Sequence, residues 1–403
     1  MTHARPWFHD PRVIIVAGCL IAIVTFGARS SFGLFTHPVS EFHHWDREVY
    51  GFAMAIQNLA WGVVQPIAGG FADRYGTARV LIAGALMYAL GMFLMAFSHT
   101  PLLITLTGGL LTGAGIATAS FTLVMGAFGK LMPPEKRSWS FGVATAAGSF
   151  GQFIFAPMGQ AFIAAYGWNT AIMLIAALVL LIIPLSFPLS APAAPRPVDD
   201  GPQPSMTETL RSAFGHSSYL LLAAGFFVCG FHLAFVTIHT PAFLVENGIS
   251  QWLAAWFIGI VGIFNVIGAY SSGIIGGKYS RVLPLSSIYF LRALAIALFV
   301  LLPVTPLTTV VFAASLGLLW LSTVPLTMGL ITVMFGTRYI GTLYGFVFLS
   351  HQVGAFFGVW LGGKFHDVYG SYDFVWWMSI GLGIFAGLVH LPIREVRAPN
   401  FAT

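Results

Sequence analysis

The chain has 403 residues, of which 57% are hydrophobic and only 8% are charged, and its formal net charge at pH 7 is +5. Soluble globular domains carry about 25% charged residues, so this composition excludes a soluble protein and predicts one that crosses a membrane several times. The first ten residues are polar and the first apolar run is long enough to span, so we expect no cleaved signal peptide. Cys19 and Cys229 both lie in apolar runs, and we expect no disulfide framework.

Twelve apolar segments of suitable length for transmembrane helices, about 20 residues each, follow one another along the chain. Segments 1 to 6 cover residues 12–37, 48–72, 79–98, 101–129, 139–164 and 169–189. Segments 7 to 12 cover residues 217–242, 251–276, 284–303, 307–333, 340–363 and 373–393. A polar, proline-rich stretch at 190–216 predicts a linker. We therefore expect an all-α membrane protein with a six-helix bundle at 1–189, a cytoplasmic linker at 190–216 and a second six-helix bundle at 217–403.

The distribution of lysine and arginine predicts the orientation, because these residues accumulate on the cytoplasmic side. An even number of spans places both termini on one side, and that side collects Arg5, Arg12, Arg74, Arg79, Lys130, Lys136, Arg137, Arg196, Arg211, Lys278, Arg281, Arg338, Arg394 and Arg397. The opposite side has Arg47 and Lys364. We predict a multi-pass protein of the cell inner (plasma) membrane with both termini in the cytoplasm. The positive charge is then a topology signal and gives no reason to expect nucleic acid as a partner.

The two halves of the chain repeat at a nearly constant separation. A separation of 203 residues pairs Gly27 with Gly230 in segments 1 and 7, and Gly151 with Gly354 in segments 5 and 11. Six spans per half give both halves the same orientation, so we expect a pseudo-two-fold axis along the membrane normal. Transporters with such repeats bind substrate near the membrane midplane, between the repeats.

Four basic side chains, Arg29, His232, Arg292 and His351, lie far from the ends of apolar segments, whereas all 13 Asp and Glu residues fall in loops or at segment ends. A charge at bilayer depth costs roughly 3 kcal/mol or more, so such residues are functional candidates. The repeat pairs Arg29 with His232, which predicts that both face one central cavity. A cationic interior with no acidic partner predicts an anionic ligand.

A glycine-rich motif, GGFADRYGTAR, occupies Gly69 to Arg79 at the cytoplasmic end of segment 2. It resembles the loop 2–3 signature of the major facilitator superfamily, whose role in the family is conformational gating. The resemblance implies that the first glycine permits close helix contact, that the acid caps a helix or pairs with a cation, and that the arginines anchor the turn. The gating residues it implies are Gly69, Asp73, Arg74 and Arg79.

Segments 1 and 11 carry a narrower resemblance. Segment 1 contains GARSSFGLF with Arg29, and segment 11 contains YGFVFLSHQVGAFFGVWLGG with His351 and Gln352. Both are similar to the monocarboxylate transporter group and its oxalate/formate exchanger relatives. The resemblance implies that Arg29 handles substrate and proton, and that His351 stands where the exchangers carry a substrate-binding lysine. The Asp–Arg pair of eukaryotic members in segment 8 is absent, with Val266 and Tyr270 at those places.

The expected function is secondary active transport of a small organic anion, a mono- or dicarboxylate, by alternating access. Arg29 would make a charge-assisted contact to the carboxylate. His351 and His232 would bind its other end or carry a proton, because histidine changes charge near neutral pH. Arg29 and His351 are the proton-coupling candidates, and the neutral residues that complete the site are Gln352, Asn58 and Gln152. Without a buried acid, charge is balanced by a proton that moves with the anion or by exchange of one anion for another.

Other functions stay open on the same sequence. Proton-driven efflux of neutral or anionic drug-like compounds uses the same fold, and a transport-inactive sensor would differ only in a flux assay. An enzyme is disfavoured, since no His/Cys/carboxylate cluster has metal-ligand spacing, and we expect neither metal nor cofactor. Arg292 lies in segment 9, which is peripheral in the superfamily, so bracing of helices through backbone carbonyls is the alternative for it. We expect a small carboxylate, a proton and membrane lipid as partners of a monomer.

Overall fold

The computed structural model describes residue 8 and residues 10–190 and 204–399. Within these ranges the regular structure is entirely helical, which confirms the expected all-α class. The linker predicted at 190–216 contains one short helix, Met206–Phe214. Residues 191–203 of that linker, with Arg196, lie outside the described residues, as does Arg5.

Ten helices of the described part are long and apolar enough to cross a membrane. One of them, Pro134–Ser190, covers two of the expected segments, because a kink at Gly167 (φ 76°) divides it. The 29-residue helix Arg47–Tyr75 is more polar than the others and completes the set. The helices thus account for all twelve segments expected from the sequence.

We number these helices α1 to α12 in chain order. Their bounds are Pro11–His43 (α1), Arg47–Tyr75 (α2), Thr77–Met95 (α3), Pro101–Leu131 (α4), 134–166 (α5), 168–190 (α6), Ser217–Glu246 (α7), Gln251–Lys278 (α8), Val282–Leu301 (α9), Pro306–Phe335 (α10), Ile340–Tyr369 (α11) and Asp373–His390 (α12).

Several helices begin with a polar residue followed by proline. Asp10, Thr100 and Thr305 each cap a helix whose first residue is proline, and their side chains accept backbone N–H groups of the first turn. The first N–H groups of a helix have no partner within it, so a side-chain oxygen satisfies one and proline removes another. These caps fix where α1, α4 and α10 start.

The chain forms two compact units. The first comprises Met1–Pro134, Ala147–Arg196 and Thr337–Gly345, and the second comprises Glu135–Ala146, Pro197–Gly336 and Phe346–Thr403. Each unit therefore takes most of its residues from one half of the chain and a short segment from the other half.

Glycine contacts repeat inside the two units. A Cβ atom on Gly27 or Gly151 would overlap atoms of the partner helix where α1 meets α5. A Cβ atom on Gly230 or Gly354 would overlap atoms of the partner helix where α7 meets α11. The paired glycines thus perform the same task in each unit, which is to let two helix backbones approach closely.

Two helix breaks lie beside buried polar side chains, in addition to the turn at residues 180–181 of α6. α4 is interrupted between Thr118 and Phe121, and α10 is interrupted between Leu319 and Thr323. A break inside a bilayer leaves backbone groups that need partners from side chains or neighbouring helices. Transporters commonly place substrate and ion sites at such discontinuous helices. The polar side chains around both breaks are therefore candidates for such a site.

Candidate functional site

The first cluster surrounds Arg29 in the first unit. Arg29 is half-buried on α1, and its Nη2 atom donates a hydrogen bond to Oδ1 of Asn58 on α2 at 2.6 Å. Its guanidinium carbon lies 4.7 Å from the centroid of the Trp61 ring, a distance at which the ring face attracts a cation. Asn58 and Trp61 therefore hold the guanidinium from two sides.

A chain of hydrogen bonds leads from this cluster to the break in α4. Nε1 of Trp61 donates to Oε1 of Gln65 at 2.9 Å, and Nε2 of Gln65 donates to Oγ of Ser120 at 3.1 Å. Ser120 is the residue immediately before the second part of α4, and its hydroxyl also lies 2.6 Å from that of Thr122. Trp61 and Gln65 thereby connect the position of Arg29 to the geometry of α4.

The guanidinium of Arg29 is not fully satisfied. Its Nε atom is buried and has no hydrogen-bond partner among the described residues. The ion pairs of this part of the first unit join Lys130 to Asp73 and His37 to Glu41, and neither includes Arg29. A buried donor without an acceptor costs about 1–3 kcal/mol, and more when it is charged. Arg29 therefore retains capacity for an anionic acceptor.

Neighbouring polar residues of α2 have different partners. Nε2 of Gln57 donates to the carbonyl of Gly108 on α4 at 2.8 Å, which braces two helices. Asn58 faces Arg29, and its Nδ2 atom donates to the carbonyl of Met54 at 3.0 Å. Gln152, the third amide expected in the site, is half-buried on α5 of the same unit. Of the three, Asn58 has the direct contact to the arginine.

His351 and Gln352 form the second cluster, in the second unit. Each is 8% exposed on α11, and Nδ1 of His351 lies 3.1 Å from Oε1 of Gln352. An amide oxygen can only accept, so Nδ1 carries the proton and Nε2 is left with its lone pair. The imidazole packs between the rings of Phe226 and Phe348, with centroid distances of 5.1 and 5.4 Å. The ring is therefore held in one orientation and one tautomer.

His232 is bonded to a neighbouring helix. It is 2% exposed on α7, and its Nε2 atom lies 2.8 Å from the carbonyl oxygen of Ser379 on α12. This bond joins two helices of one unit, and it uses the nitrogen that points away from the α7 backbone. The structure thus gives Nε2 of His232 a partner on a neighbouring helix, while its Nδ1 atom is buried with no hydrogen-bond partner among the described residues.

Arg292 braces the break in α10. Its Nε atom donates to the carbonyl of Leu319 at 3.1 Å, and its Nη2 atom donates to the same carbonyl at 2.5 Å and to that of Trp320. On the other side of the break, Oδ1 of Asn265 accepts the N–H of Leu321 at 2.9 Å. Bracing through carbonyls, the alternative left open by the sequence, is confirmed.

Cys229 lies beside Arg292 and His351, and its position in the sequence did not predict a functional role for it. Its sulfur lies 3.5 Å from Nη1 of Arg292 and 3.4 Å from Oγ1 of Thr323, and His351 is a further hydrogen-bond neighbour. A cysteine in an apolar run resembles any small hydrophobic residue. The one available signal was its position one helical turn before His232 on α7.

The side chain of Asp73, in the glycine-rich motif, is 1% exposed, and its carboxylate has several hydrogen-bond partners. Its carboxylate accepts Nζ of Lys130 at 2.7 Å, and the N–H and Oγ1 of Thr342 at 2.8 and 2.7 Å. It also accepts the N–H of Gly341 at 3.3 Å, so it caps the first turn of α11 within the first unit. A negative charge at a helix N-terminus is stabilising.

The other motif residues differ in exposure. Gly69 faces Gly341 so closely that a Cβ atom would overlap the carbonyl group of Gly341. Arg74 and Arg79 are exposed, and the guanidinium of Arg74 lies 5.2 Å from the ring centroid of Tyr75. The close-contact role implied for the glycine thus has a structural counterpart in the same unit.

Spanning helices with broken segments and buried basic side chains are characteristic of membrane transporters. The chain belongs to the Major Facilitator Superfamily, whose family model matches residues 18–359. Its relatives include monocarboxylate transporter 13 of Rattus norvegicus, at 27% identity over 375 residues that cover 89% of this chain and 83% of the relative. An uncharacterized MFS-type transporter of Bacillus subtilis, YcxA, is 24% identical over 389 residues that cover 91% of this chain and 90% of the relative. The similarity to the monocarboxylate transporter group is thereby confirmed.

Solved structures share the fold. The Escherichia coli fucose:proton symporter FucP matches with a TM-score of 0.71 and 16% identity, over 93% of this chain and 97% of that chain. The proton:xylose symporter XylE matches with a TM-score of 0.71 and 15% identity, over 93% and 94% of the two chains. At such identities the likeness concerns the fold.

Proposed function

We propose that the protein is a secondary active transporter of small organic anions, mono- or dicarboxylates, that works by alternating access. The observation that carries this proposal is the unsatisfied guanidinium of Arg29, whose Nε is buried without a partner while its Nη2 is fixed by Asn58. Relatives named monocarboxylate transporters support the same substrate class.

Arg29 binds the carboxylate through the atoms that the protein leaves unused. Asn58 and the face of Trp61 fix the guanidinium, so its planar set of donors is oriented before the ligand arrives. A carboxylate accepts two parallel N–H bonds from arginine in a bidentate contact. Such an orientation lowers the entropy cost of binding, because the side chain is already immobile.

His351 and Gln352 supply the second set of polar groups. Nε2 of His351 has a lone pair and can accept a proton or, once protonated, donate to an anion. We assign substrate or proton handling to this pair and keep Gln152 as a neutral lining residue. We assign His232 to helix bracing, because its Nε2 is bonded to the Ser379 carbonyl.

The charge of the anion is balanced in one of two ways, by a proton that accompanies it or by a second anion that moves in the opposite direction. Uptake into vesicles with an imposed pH gradient, compared with uptake into vesicles loaded with unlabelled anion, distinguishes these two ways of balancing the charge.

We propose that both termini lie in the cytoplasm, that the chain resides in the plasma membrane, and that one chain is a functional unit.

The test reconstitutes purified protein into proteoliposomes and measures the uptake of labelled lactate and oxalate. Thermal unfolding of the protein is measured in the presence of each anion. We expect one of them to raise the melting temperature and to be taken up. Arg29→Gln should lower uptake at least tenfold, because a hydrogen bond to a charged group contributes about 1.5–3 kcal/mol and 1.4 kcal/mol is a factor of ten. Arg12→Gln, an exposed arginine on the same helix, is the control and should transport normally. Uptake by Arg29→Gln at the wild-type rate would contradict the proposal.

A further inference from the structure

The sulfur of Cys229 lies where four helices of the second unit meet. Its own helix is α7, Arg292 reaches it from α9 at 3.5 Å, Thr323 from α10 at 3.4 Å, and His351 from α11. The residue is fully buried. These three neighbours are polar or charged, which is an unusual setting for a cysteine in a membrane helix.

No carboxylate pairs with Arg292 among the described residues. The ion pairs of the second unit join Arg281 to Glu395 and His366 to Glu246, at the ends of helices, and neither includes Arg292. Backbone carbonyls of Leu319 and Trp320 supply only partial negative charge. Among the described hydrogen-bond partners of this guanidinium, the thiol is the one that can lose a proton. Burial opposes a charge on sulfur, whereas an adjacent arginine or histidine favours the thiolate.

His351 provides a proton acceptor beside the thiol. Because Nδ1 donates to Gln352, the basic nitrogen of the ring is Nε2. Transfer of the thiol proton breaks the S–H bond and forms an Nε2–H bond, which leaves a thiolate and an imidazolium with no change in their total charge. A second deprotonation, of the imidazolium, leaves a thiolate that offsets the charge of Arg292.

The other titratable groups around Cys229 and His351 do not take the place of these two residues as donor and acceptor of the proton. From α9, Tyr289 lies with its ring 5.3 Å from the guanidinium carbon of Arg292, and its hydroxyl is buried. From α12, His390 stacks on Tyr289 and bonds the carbonyl of Ala386. On α7, His232 is bonded to Ser379.

We propose, on the basis of the anion transport proposed above, that Cys229 and His351 together hold the proton that accompanies the anion. Without the proton the pair is negative and the cluster with Arg292 is neutral. With the proton the cluster carries one positive charge, which favours entry of an anion. The cysteine thus takes the place of a buried acid beside Arg292, where the described residues place no carboxylate.

The experiment uses the fact that the chain has two cysteines, so Cys19→Ser leaves Cys229 as the only thiol. In that background, Cys229→Ser keeps the size and hydrogen bonding of the side chain but removes its ionisation. We expect lactate or oxalate uptake driven by a pH gradient to fall at least tenfold in Cys229→Ser, while exchange of labelled for unlabelled anion continues. Cys229→Asp should restore gradient-driven uptake with a pH profile moved to lower pH.

A direct observation of the sulfur does not depend on those variants. The infrared S–H stretching band of the Cys19→Ser protein should disappear as the pH is raised. An S–H band that persists into alkaline solution, or wild-type gradient-driven uptake by Cys229→Ser, overturns the proposal. If Cys19→Ser itself shows neither uptake nor exchange of any carboxylate, the transport function fails instead, so the two failures are distinct.

Discussion

The Nη2 atom of Arg29 donates to Oδ1 of Asn58 at 2.6 Å, and this is the hydrogen bond that distinguishes the first buried arginine from the second. Arg292 has its Nε and Nη2 atoms bonded to backbone carbonyls at the break in α10, whereas the Nε of Arg29 is buried with no acceptor among the described residues. Both arginines sit on apolar helices. The unused donor of Arg29 supports the ligand-binding role proposed for it, and the carbonyl bonds of Arg292 support a bracing role.

Asn58 positions Arg29, so its replacement should weaken substrate binding. We expect Asn58→Ala to raise the KM for the transported carboxylate roughly fivefold to twentyfold, since one hydrogen bond to a charged group contributes about 1.5–3 kcal/mol and part of it is recovered by water. Asn58→Asp should be more severe, because its carboxylate would occupy the guanidinium. The measurement is initial uptake rate against substrate concentration. Asn247→Asp, at an exposed position outside the helices, is the control.

The opposite result would be informative. If Asn58→Asp transported as well as the wild type, Arg29 would not be the anion-binding group, because an internal carboxylate would then be compatible with substrate binding.

Arg292 should matter for stability. Arg292→Met removes the donors from two carbonyls inside the bilayer, and unsatisfied buried acceptors cost about 1–3 kcal/mol each. Arg292→Lys should not restore the loss, because a lysine lacks the planar fork that reaches two carbonyls at once. Thermal unfolding in detergent measures the effect. The exposed Arg394→Met serves as control, and an unchanged melting temperature for Arg292→Met would show that the bracing bonds contribute little.

Gly69 should be sensitive to one added methyl group. Its Cβ would overlap the carbonyl group of Gly341, so Gly69→Ala should disturb the contact that brings Asp73 to the first turn of α11. Gly51, on the same helix, has no heavy atom within 4 Å of the position of a Cβ. Gly51→Ala should therefore be neutral or slightly stabilising, because alanine favours helix by about 1 kcal/mol.

The measurement for this glycine pair is the maximal uptake rate together with KM. We expect Gly69→Ala to lower the rate at least threefold with little change in KM, as a gating defect does. Equal rates for the two alanine variants would remove the motif glycine from any gating role.

The short helix Met206–Phe214 should respond to acid. Its capping box joins Ser205 and Glu208, and the hydrogen bond from the Ser205 backbone N–H lowers the pKa of the Glu208 carboxyl, with the Ser205 hydroxyl as a second cause. A carboxyl with a lowered pKa in the folded state stabilises the helix above its ordinary pKa, and the effect is lost as pH falls through the lowered value. Hydrogen exchange of residues 206–214 should therefore accelerate on acidification.

The matched variant for this helix is Glu208→Gln. Glutamine keeps the capping geometry but does not titrate, so its helix should exchange at a rate that changes less with pH. Identical pH dependence in both proteins would assign the effect to another group.

Hydropathy and repeat pattern determined the helices from the sequence alone. A membrane span must satisfy its own backbone hydrogen bonds and face lipid, so an apolar run of sufficient length has one solution, a helix. The Gly27–Gly230 and Gly151–Gly354 pairs, at a separation of 203 residues, indicated the repeat, and the structure places all four glycines at helix contacts where no Cβ fits. The buried basic residues were also visible, because a charge within an apolar run is rare enough to be noticed.

Only the tertiary structure decided which partners those basic residues have. Arg29 and Arg292 look alike in the sequence. They differ because the break in α10 frees carbonyls beside Arg292, whereas no such group of the described residues reaches Nε of Arg29. Cys229 was indistinguishable from a small apolar residue until Arg292, Thr323 and His351 were seen around it. Whether a buried polar atom has a hydrogen-bond partner depends on which groups from distant parts of the chain lie next to it. The apolar residues that flank it in the sequence do not specify those groups.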